Sequence, residues 1–440
     1  MPTPLVLKFG GATLGREDRV RKTVGMVRET TAPRVVVVSA REGVTDRLKK
    51  ALLLAEGGKQ DPTLNAVLAE LHPGIPEVLQ KNLSALTGDL RRAAANRKVS
   101  PSQGDAVLAR GERLSAHWYA ARLTEVGLPA EALEADLMGL ETDGNFGGAI
   151  IRPLPSRGPV RNAIRSVLRK GRVPVITGYI GRGTRGKVAT LGRGGSDYTA
   201  TSVGCLIGAR RTVLVKTDVS LFTADPKLIR RAEPVRRLSY EEAEELAQFG
   251  AKVLHPLTVE PARQCGMEVA VESLDFPGLS TTIGPAIANV GIRAMTLLSP
   301  VALLLLRVPG GRQRKGVIAD VSRILSEARI NVVTLYTSSA LLCILVESAQ
   351  GPRARAALLP FVEGDGLGAS LNGPLPVALV TAIGEGIAAD LSRLPRSISS
   401  KVYGVSGTTR TLSLAVPVSR GKHTLREVHR LLVEERSGPA

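Results

Sequence analysis

Thr190-Leu-Gly-Arg-Gly-Gly-Ser-Asp-Tyr-Thr-Ala-Thr201 sets three glycines around one arginine, then delivers an aspartate ahead of an apolar segment, Ala200 to Ile207. This is the pattern of a loop entering a helix. Glycines let a backbone bring its N–H groups close to a ligand, and a helix N-terminus adds partial positive charge, so an anion is the natural occupant. Arg193 offers a planar fork to a carboxylate or phosphate. Asp197 stands among these cationic groups, where it can orient a lysine or help hold a metal. A Gly-x-Gly-Gly run alone is commonly a plain turn, so the weight lies on the twelve residues together.

Working outward, the N-terminal stretch reads as a strand, Leu5 to Phe9, a glycine turn, Gly10-Gly11, and an amphipathic helix with Val20, Val24 and Val27 on one face. Lys8 ends that strand, where an ammonium can reach phosphoryl oxygens and the two glycines can add backbone N–H groups. Arg34-Val-Val-Val-Val-Ser-Ala40 is an apolar, β-branched run suited to a central parallel strand buried on both faces. Val173 to Gly181 is a second buried strand running into glycines, and Val213-Leu-Val-Lys-Thr-Asp218 a third. Residues 50 to 100 read as mainly helical. Gly111-Glu-Arg-Leu-Ser-Ala116 opens a further amphipathic helix that includes Trp118. Gly181-Arg-Gly-Thr-Arg-Gly-Lys187 has the spacing of a phosphate-binding P-loop, but Val188 stands where Ser or Thr must bind magnesium, so it is read as a hairpin.

These motifs together resemble the amino-acid kinase superfamily, and the wording resembles its aspartokinase branch in particular. Lys8-Phe-Gly-Gly11 matches the opening, although Ala12 replaces a usual Thr. The exit Ser39-Ala-Arg-Glu-Gly-Val-Thr45 resembles a segment whose hydroxyls contact the amino acid. Gly111-Glu112 is similar to the Gly-Glu that binds the substrate ammonium, and Tyr179 stands where a Phe commonly lines the substrate pocket. Thr217-Asp218 and Phe222-Thr-Ala-Asp-Pro-Lys227 resemble the nucleotide loop, shortened by one residue, without its glycine, and with Phe222 and Lys227 replacing Tyr and Arg. Gly250-Ala-Lys-Val-Leu-His-Pro256 matches fully.

The resemblance implies a mostly parallel α/β amino-acid kinase domain over residues 1–285. Two ferredoxin-like ACT domains follow over 290–372 and 373–440, the second conceivably inserted in the first. It implies transfer of the ATP γ-phosphate to the β-carboxylate of L-aspartate, the first step toward lysine, threonine and methionine, with Mg²⁺ as cofactor. Lys8 and Asp197 would be catalytic. Ser39, Thr45, Glu112, Tyr179, Arg193 and Ser196 would bind the amino acid, and Gly10, Gly11, Thr217, Asp218, Phe222, Lys227 and Lys252 the nucleotide. His255 is read as structural. An amino-acid effector at the ACT domains and a homo-oligomer, a dimer or more, complete the expectation. The rival reading is a catalytically impaired sensor of the same lineage, favoured by the shortened loop and Ala12.

Composition bounds these readings. A chain of 440 residues, 43% hydrophobic, can bury more than one core. The net charge of +19 is spread in rough proportion to length, residues 301–440 holding 17 Lys/Arg against 10 Asp/Glu, and only 3% of residues are aromatic. That distribution argues against a specific nucleic-acid footprint. No apolar run reaches the roughly 18 residues of a membrane span. The expected setting is cytoplasmic, with no membrane partner. Cys205, Cys265 and Cys343, odd in number and far apart in sequence, are expected to be buried thiols rather than a disulfide or metal framework.

Overall fold

A computed structural model of the chain describes residues 3–217, 221–250, 254–286, 291–309, 316–338, 340–364, 368–387 and 402–434. It divides into two compact units, 1–221 with 236–240 and 253–286, and 222–235 with 241–252 and 287–440.

The first unit is built on an eight-stranded sheet. Its strands are β1 (Leu5–Phe9), β2 (Arg34–Val38), β3 (Ala130–Leu133), β4 (Val173–Thr177), β7 (Arg211–Lys216), β8 (Arg237–Ser239), β9 (Glu268–Ser273) and β10 (Ser280–Gly284), in the order β3-β4-β2-β1-β7-β9-β10-β8. All neighbouring pairs are parallel except β9–β10. Val35 to Val38 are wholly buried, as a strand flanked by strands and covered on both faces requires. The expected hairpin is also present, β5 (Ile180–Arg182) against β6 (Val188–Thr190).

Helices α1 (Glu17–Glu29), α2 (Val44–Glu56), α3 (Leu64–Leu71), α4 (Pro76–Asn96), α5 (Pro101–Glu125), α6 (Pro153–Arg169), α7 (Gly195–Ile207) and α9 (Pro256–Cys265) belong to this unit, while α8 (Tyr240–Gln248), which follows β8, belongs from Glu241 onward to the second. Val20, Val24 and Val27 of α1 are buried, as their spacing implied. One boundary differs from the sequence reading. The helix carrying Glu112 does not open at Gly111 but ten residues earlier, because Ser100 and Gln103 form a capping box and Pro101 takes the first helical position. Glu112 is therefore mid-helix rather than in a first turn, and it is buried.

The second unit carries a six-stranded antiparallel sheet, β12-β13-β11-β14-β16-β15, from β11 (Gly291–Arg307), β12 (Val332–Thr337), β13 (Leu341–Glu347), β14 (Ser370–Glu385), β15 (Gly404–Gly407) and β16 (Thr411–Pro417). The two long strands β11 and β14 each serve two cores. Leu304 and Leu306 pack with α10 (Val317–Glu327) and α11 (Gly351–Glu363), whereas Met295, Val380 and Ala382 pack with the helix Gly421–His429. The described residues between 301 and 375 thus form a ferredoxin-like half lying in sequence between the two parts of the other half, 291–298 and the described residues from 377 to 434. This corrects the consecutive division at 372/373: the earlier half is nested in the later one. Residues 222–235 also join this unit. Ala224 and Ile229 enter its second core, and Thr223 Oγ1 lies 3.0 Å from Nε2 of buried His429, whose Nδ1 lies 3.1 Å from Glu434.

The thiols also correct the sequence reading, since only Cys343 is buried; Cys205 is half-buried and Cys265 exposed. Among the described residues no helix is long and apolar enough to cross a membrane.

Candidate active site

The carboxyl ends of β1, β2, β4 and β6 open on a cavity of about 660 Å³, the position where open parallel sheets bind ligands. Lys8, Gly11, Ser39, Thr45, Glu112, Tyr179, Arg193, Ser196 and Asp197 all line it. Residues from five separate stretches of sequence are thereby brought to one place.

Asp197 organises the floor. It lies in the first turn of α7, a helix that starts after Gly194 in the left-handed region (φ 68°) and has no side-chain cap; the Gly195 N–H donates to the Gly192 carbonyl, and the following N–H groups of Ser196 and Asp197 face a ligand position. Its Oδ1 is 2.6 Å from Lys8 Nζ and its Oδ2 is 2.5 Å from Lys216 Nζ. Burial alone would raise the Asp197 carboxyl, but the two ammonium groups overcome it and hold the carboxyl far below the usual range. One carboxylate against two lysines leaves a surplus positive charge in a buried place. Burial and the neighbouring Lys216 pull the Lys8 ammonium below its ordinary range, so the site gains from an incoming anion. Lys216, at the end of β7, was missed from the sequence because a lysine closing a strand has no local signature.

The opposite requirement appears at Glu112. Its side chain is buried, with burial the main cause, and the carboxyl is pushed up to about 8 despite a hydrogen bond from the Ala40 N–H and the distant attraction of Lys8. Its Oε2 has no hydrogen-bond partner among the described residues. An unsatisfied carboxyl oxygen in a buried cavity wall is costly, and a cationic ligand group would satisfy it.

Close approaches explain the glycines. A Cβ on Gly11 would lie 2.7 Å from the Ala40 carbonyl oxygen, one on Gly178 would lie 2.6 Å from Ser196 Cβ, and one on Gly10 would lie 3.3 Å from Lys8 Nζ. Tyr179 is held at φ 67°, an unfavourable conformation for a non-glycine residue, with its N–H bonded to Thr199 Oγ1 at 3.1 Å. Burial raises its phenol. Arg193 is exposed on the rim, and no ion pair to it is found among the described residues. His255 caps α9 by accepting from the Leu257 N–H, and it packs against Gly194, in keeping with a structural role.

Two further residues shape the cavity wall, Asp105, which stands in no motif, and Arg41, which lies within the Ser39–Thr45 stretch but to which that motif assigns no role. Asp105 accepts from the Thr190 N–H (2.7 Å), the Thr190 hydroxyl (2.9 Å) and the Gly147 N–H (3.0 Å), tying β6 to the 144–148 turn at the cavity wall. Arg41 lies over Trp118, 4.1 Å from its ring centroid, and donates to the Leu14 carbonyl, fixing the loop after β2.

Not every expected residue lines this cavity. Thr217 follows β7 and its carbonyl accepts from Ser273 Oγ and the Asp275 N–H, outside the cavity lining. Phe222 and Lys227 belong to the second unit. Asp218 and Lys252 lie outside the described residues. No group of three His, Cys, Asp or Glu side chains converges as a metal-ligand set among the described residues. Asp197, the one carboxylate at the anion-binding floor, already has both oxygens engaged by lysines.

A model of the amino acid kinase family matches residues 3–273. Lysine-sensitive aspartokinase 3 of Escherichia coli is 28% identical over 464 residues, covering 98% of this chain and 99% of that protein. Aspartokinase 1, chloroplastic, of Arabidopsis thaliana is 28% identical over 366 residues, covering 78% of this chain. The alignments span 63% to 66% of the length of this and two further Arabidopsis aspartokinases. Among solved structures, E. coli aspartokinase III in complex with aspartate and ADP superposes with a TM-score of 0.80 at 24% identity, over 97% of this chain and 99% of that one. This last likeness is one of fold.

Proposed function

The chain belongs to the amino acid kinase family, and on that footing we propose that it is an aspartate kinase, moving the γ-phosphoryl group of ATP to the β-carboxylate of L-aspartate to give 4-phospho-L-aspartate and ADP. The observation that carries this reading is one cavity lined by the Lys8–Asp197 pair, with Lys216 holding Asp197 from outside the lining, and by a buried carboxyl, Glu112, whose Oε2 has no hydrogen-bond partner among the described residues.

The chemistry asks little beyond placement. A carboxylate nucleophile is ionised at neutral pH, so no general base is needed, and rate comes from in-line positioning and stabilisation of phosphoryl charge. Glu112 receives the substrate ammonium, while Arg193 and the uncapped start of α7 receive its carboxylates. Ser39, Thr45, Tyr179 and Ser196 shape the space between. Lys8 meets the transferring phosphoryl oxygens, Asp197 fixes its ammonium, and Lys216 holds Asp197 from the other side. Gly10 and Gly11 let the backbone come close to the phosphates.

Thr217, Asp218, Phe222, Lys227 and Lys252 are assigned to the nucleotide by the motif alone. A magnesium ion in this reading would neutralise charge on the nucleotide phosphates, and Lys8 would share that task. The same proposal includes residues 1–285 as the kinase domain, an amino-acid effector at the ferredoxin-like halves, and a homo-oligomer. Trapping the acyl phosphate with hydroxylamine, in the presence of ATP and either aspartate or glutamate, tests it. Hydroxamate from aspartate alone is expected; none from either would leave the amino-acid sensor.

A further inference from the structure

Away from the cavity, two of the three cysteines meet. Cys205 lies in the last turn of α7 and Cys265 is the last residue of α9; the Cys265 thiol donates to the Pro261 carbonyl at 3.2 Å, and Cys205 borders a cavity shared with Pro261 and Gln264, so the two thiols are near enough for each to shift the other's ionisation. The meeting follows from how the helices run. At their starts, a Cβ on Gly194 would sit 2.5 Å from His255 Cβ; toward their ends, one on Gly204 would sit 2.7 Å from Met267 Sδ. The two helices therefore travel side by side in the same direction, and the close approach at Gly204 brings the neighbouring thiols together.

Their surroundings differ usefully. Cys265 is exposed, and Gly266 after it is in the left-handed region (φ 67°) that closes the helix. Cys205 is half-buried and borders a second cavity of about 180 Å³ with Tyr198, Ser202, Leu257, Pro261 and Gln264, which leaves its side chain room to turn.

We propose that Cys205 and Cys265 are a redox-active dithiol, a site at which a small-molecule disulfide closes an intramolecular bond stapling the helix of Ser196 and Asp197 to the helix that starts behind His255. The neighbouring Cys205 thiol lowers Cys265 to about 7, while Cys205 itself is raised and keeps its proton. The accessible thiol is thus the one with substantial thiolate at neutral pH. The Cys265 thiolate attacks one sulfur of the oxidant, forming a mixed disulfide and releasing one thiolate. Cys205 then gives up its proton and attacks the Cys265 sulfur, displacing the second thiolate. The released thiolates take up the Cys205 proton and one from solvent. Two protein thiols are oxidised and one disulfide is reduced to two thiols.

The test uses the full chain and a readout that does not depend on its catalytic activity. Protein treated with oxidised glutathione is unfolded, alkylated and digested for mass spectrometry. A cross-linked pair of peptides containing Cys205 and Cys265, lighter by two hydrogens than the sum of its parts, is expected, with Cys343 alkylated. Dithiothreitol should restore three alkylatable thiols. Cys205→Ser should stop at a glutathione adduct on Cys265. A stable adduct on Cys265 in the unsubstituted protein with Cys205 still alkylatable, or no reaction at either thiol, would overturn the proposal. Loss of kinase turnover in other tests would leave this result unaffected.

Discussion

Lys8 Nζ lies 2.6 Å from Asp197 Oδ1, joining the end of the first strand to the first turn of α7 in a place almost closed to solvent. A buried pair of this kind costs desolvation on both sides, and removing one partner strands the other charge. Here the carboxylate is shared, since Lys216 holds its second oxygen. Asp197→Asn therefore leaves two ammonium groups facing a neutral amide. It should destabilise the first unit by about 3 kcal/mol and lower turnover at least 100-fold. Urea unfolding followed through Trp118, the sole tryptophan, reports the first effect, and initial rates report the second.

Glu112 makes a prediction of opposite sign for stability. Its carboxyl titrates near 4.5 when exposed and at about 8 in the folded cavity. The folded form holds the proton more tightly, so this group's contribution is full below pH 4.5 and is lost as pH rises through 8, by on the order of 3 kcal/mol. Glu112→Gln should match the parent near pH 4.5 and exceed it in melting temperature at pH 8. The same substitution should raise KM for aspartate by about 100-fold, because a neutral amide cannot pair with the ammonium. In the parent, KM for aspartate should fall as pH rises toward 8 and Glu112 ionises. A pH-independent KM would remove Glu112 from the substrate site.

His72 acts at the acid end. It is wholly buried beside Trp118, its Nδ1–H bonded to the Leu68 carbonyl, and burial lowers it to about 4. The imidazole is neutral in the fold, so its contribution is present above 6.5 and lost as pH falls through 4, by about 3 kcal/mol. His72→Phe should flatten the stability profile between those pH values. An unchanged acid limb would show that other groups set it.

Much of the site was legible because its residues sit in contiguous words. The loop from Thr190 to Thr201 and the Lys8-Phe-Gly-Gly11 turn each combine a special backbone with a charge, and both line the cavity. Lys216 and Asp105 were not legible, since their partners are remote in sequence and neither stands in a motif. Glu112 was named, but the start of its helix was placed at Gly111, although Ser100-Pro-Ser-Gln103 carried the true start. The nesting of the ferredoxin-like halves depends on β11 and β14 each crossing from one core to the other, which a strand's own pattern does not reveal. The pairing of Cys205 with Cys265 likewise arises from the side-by-side course of two helices.

The most direct test of the central claim is the rate of aspartyl hydroxamate formation by Lys8→Met compared with the parent, both with ATP and saturating aspartate. The variant keeps the length of the side chain, and Lys216 still holds Asp197. A fall of about 1,000-fold with an unchanged unfolding transition is predicted, as expected for loss of a group that stabilises charge on the transferring phosphoryl. Turnover within a few-fold of the parent would contradict the assignment of this cavity to phosphoryl transfer.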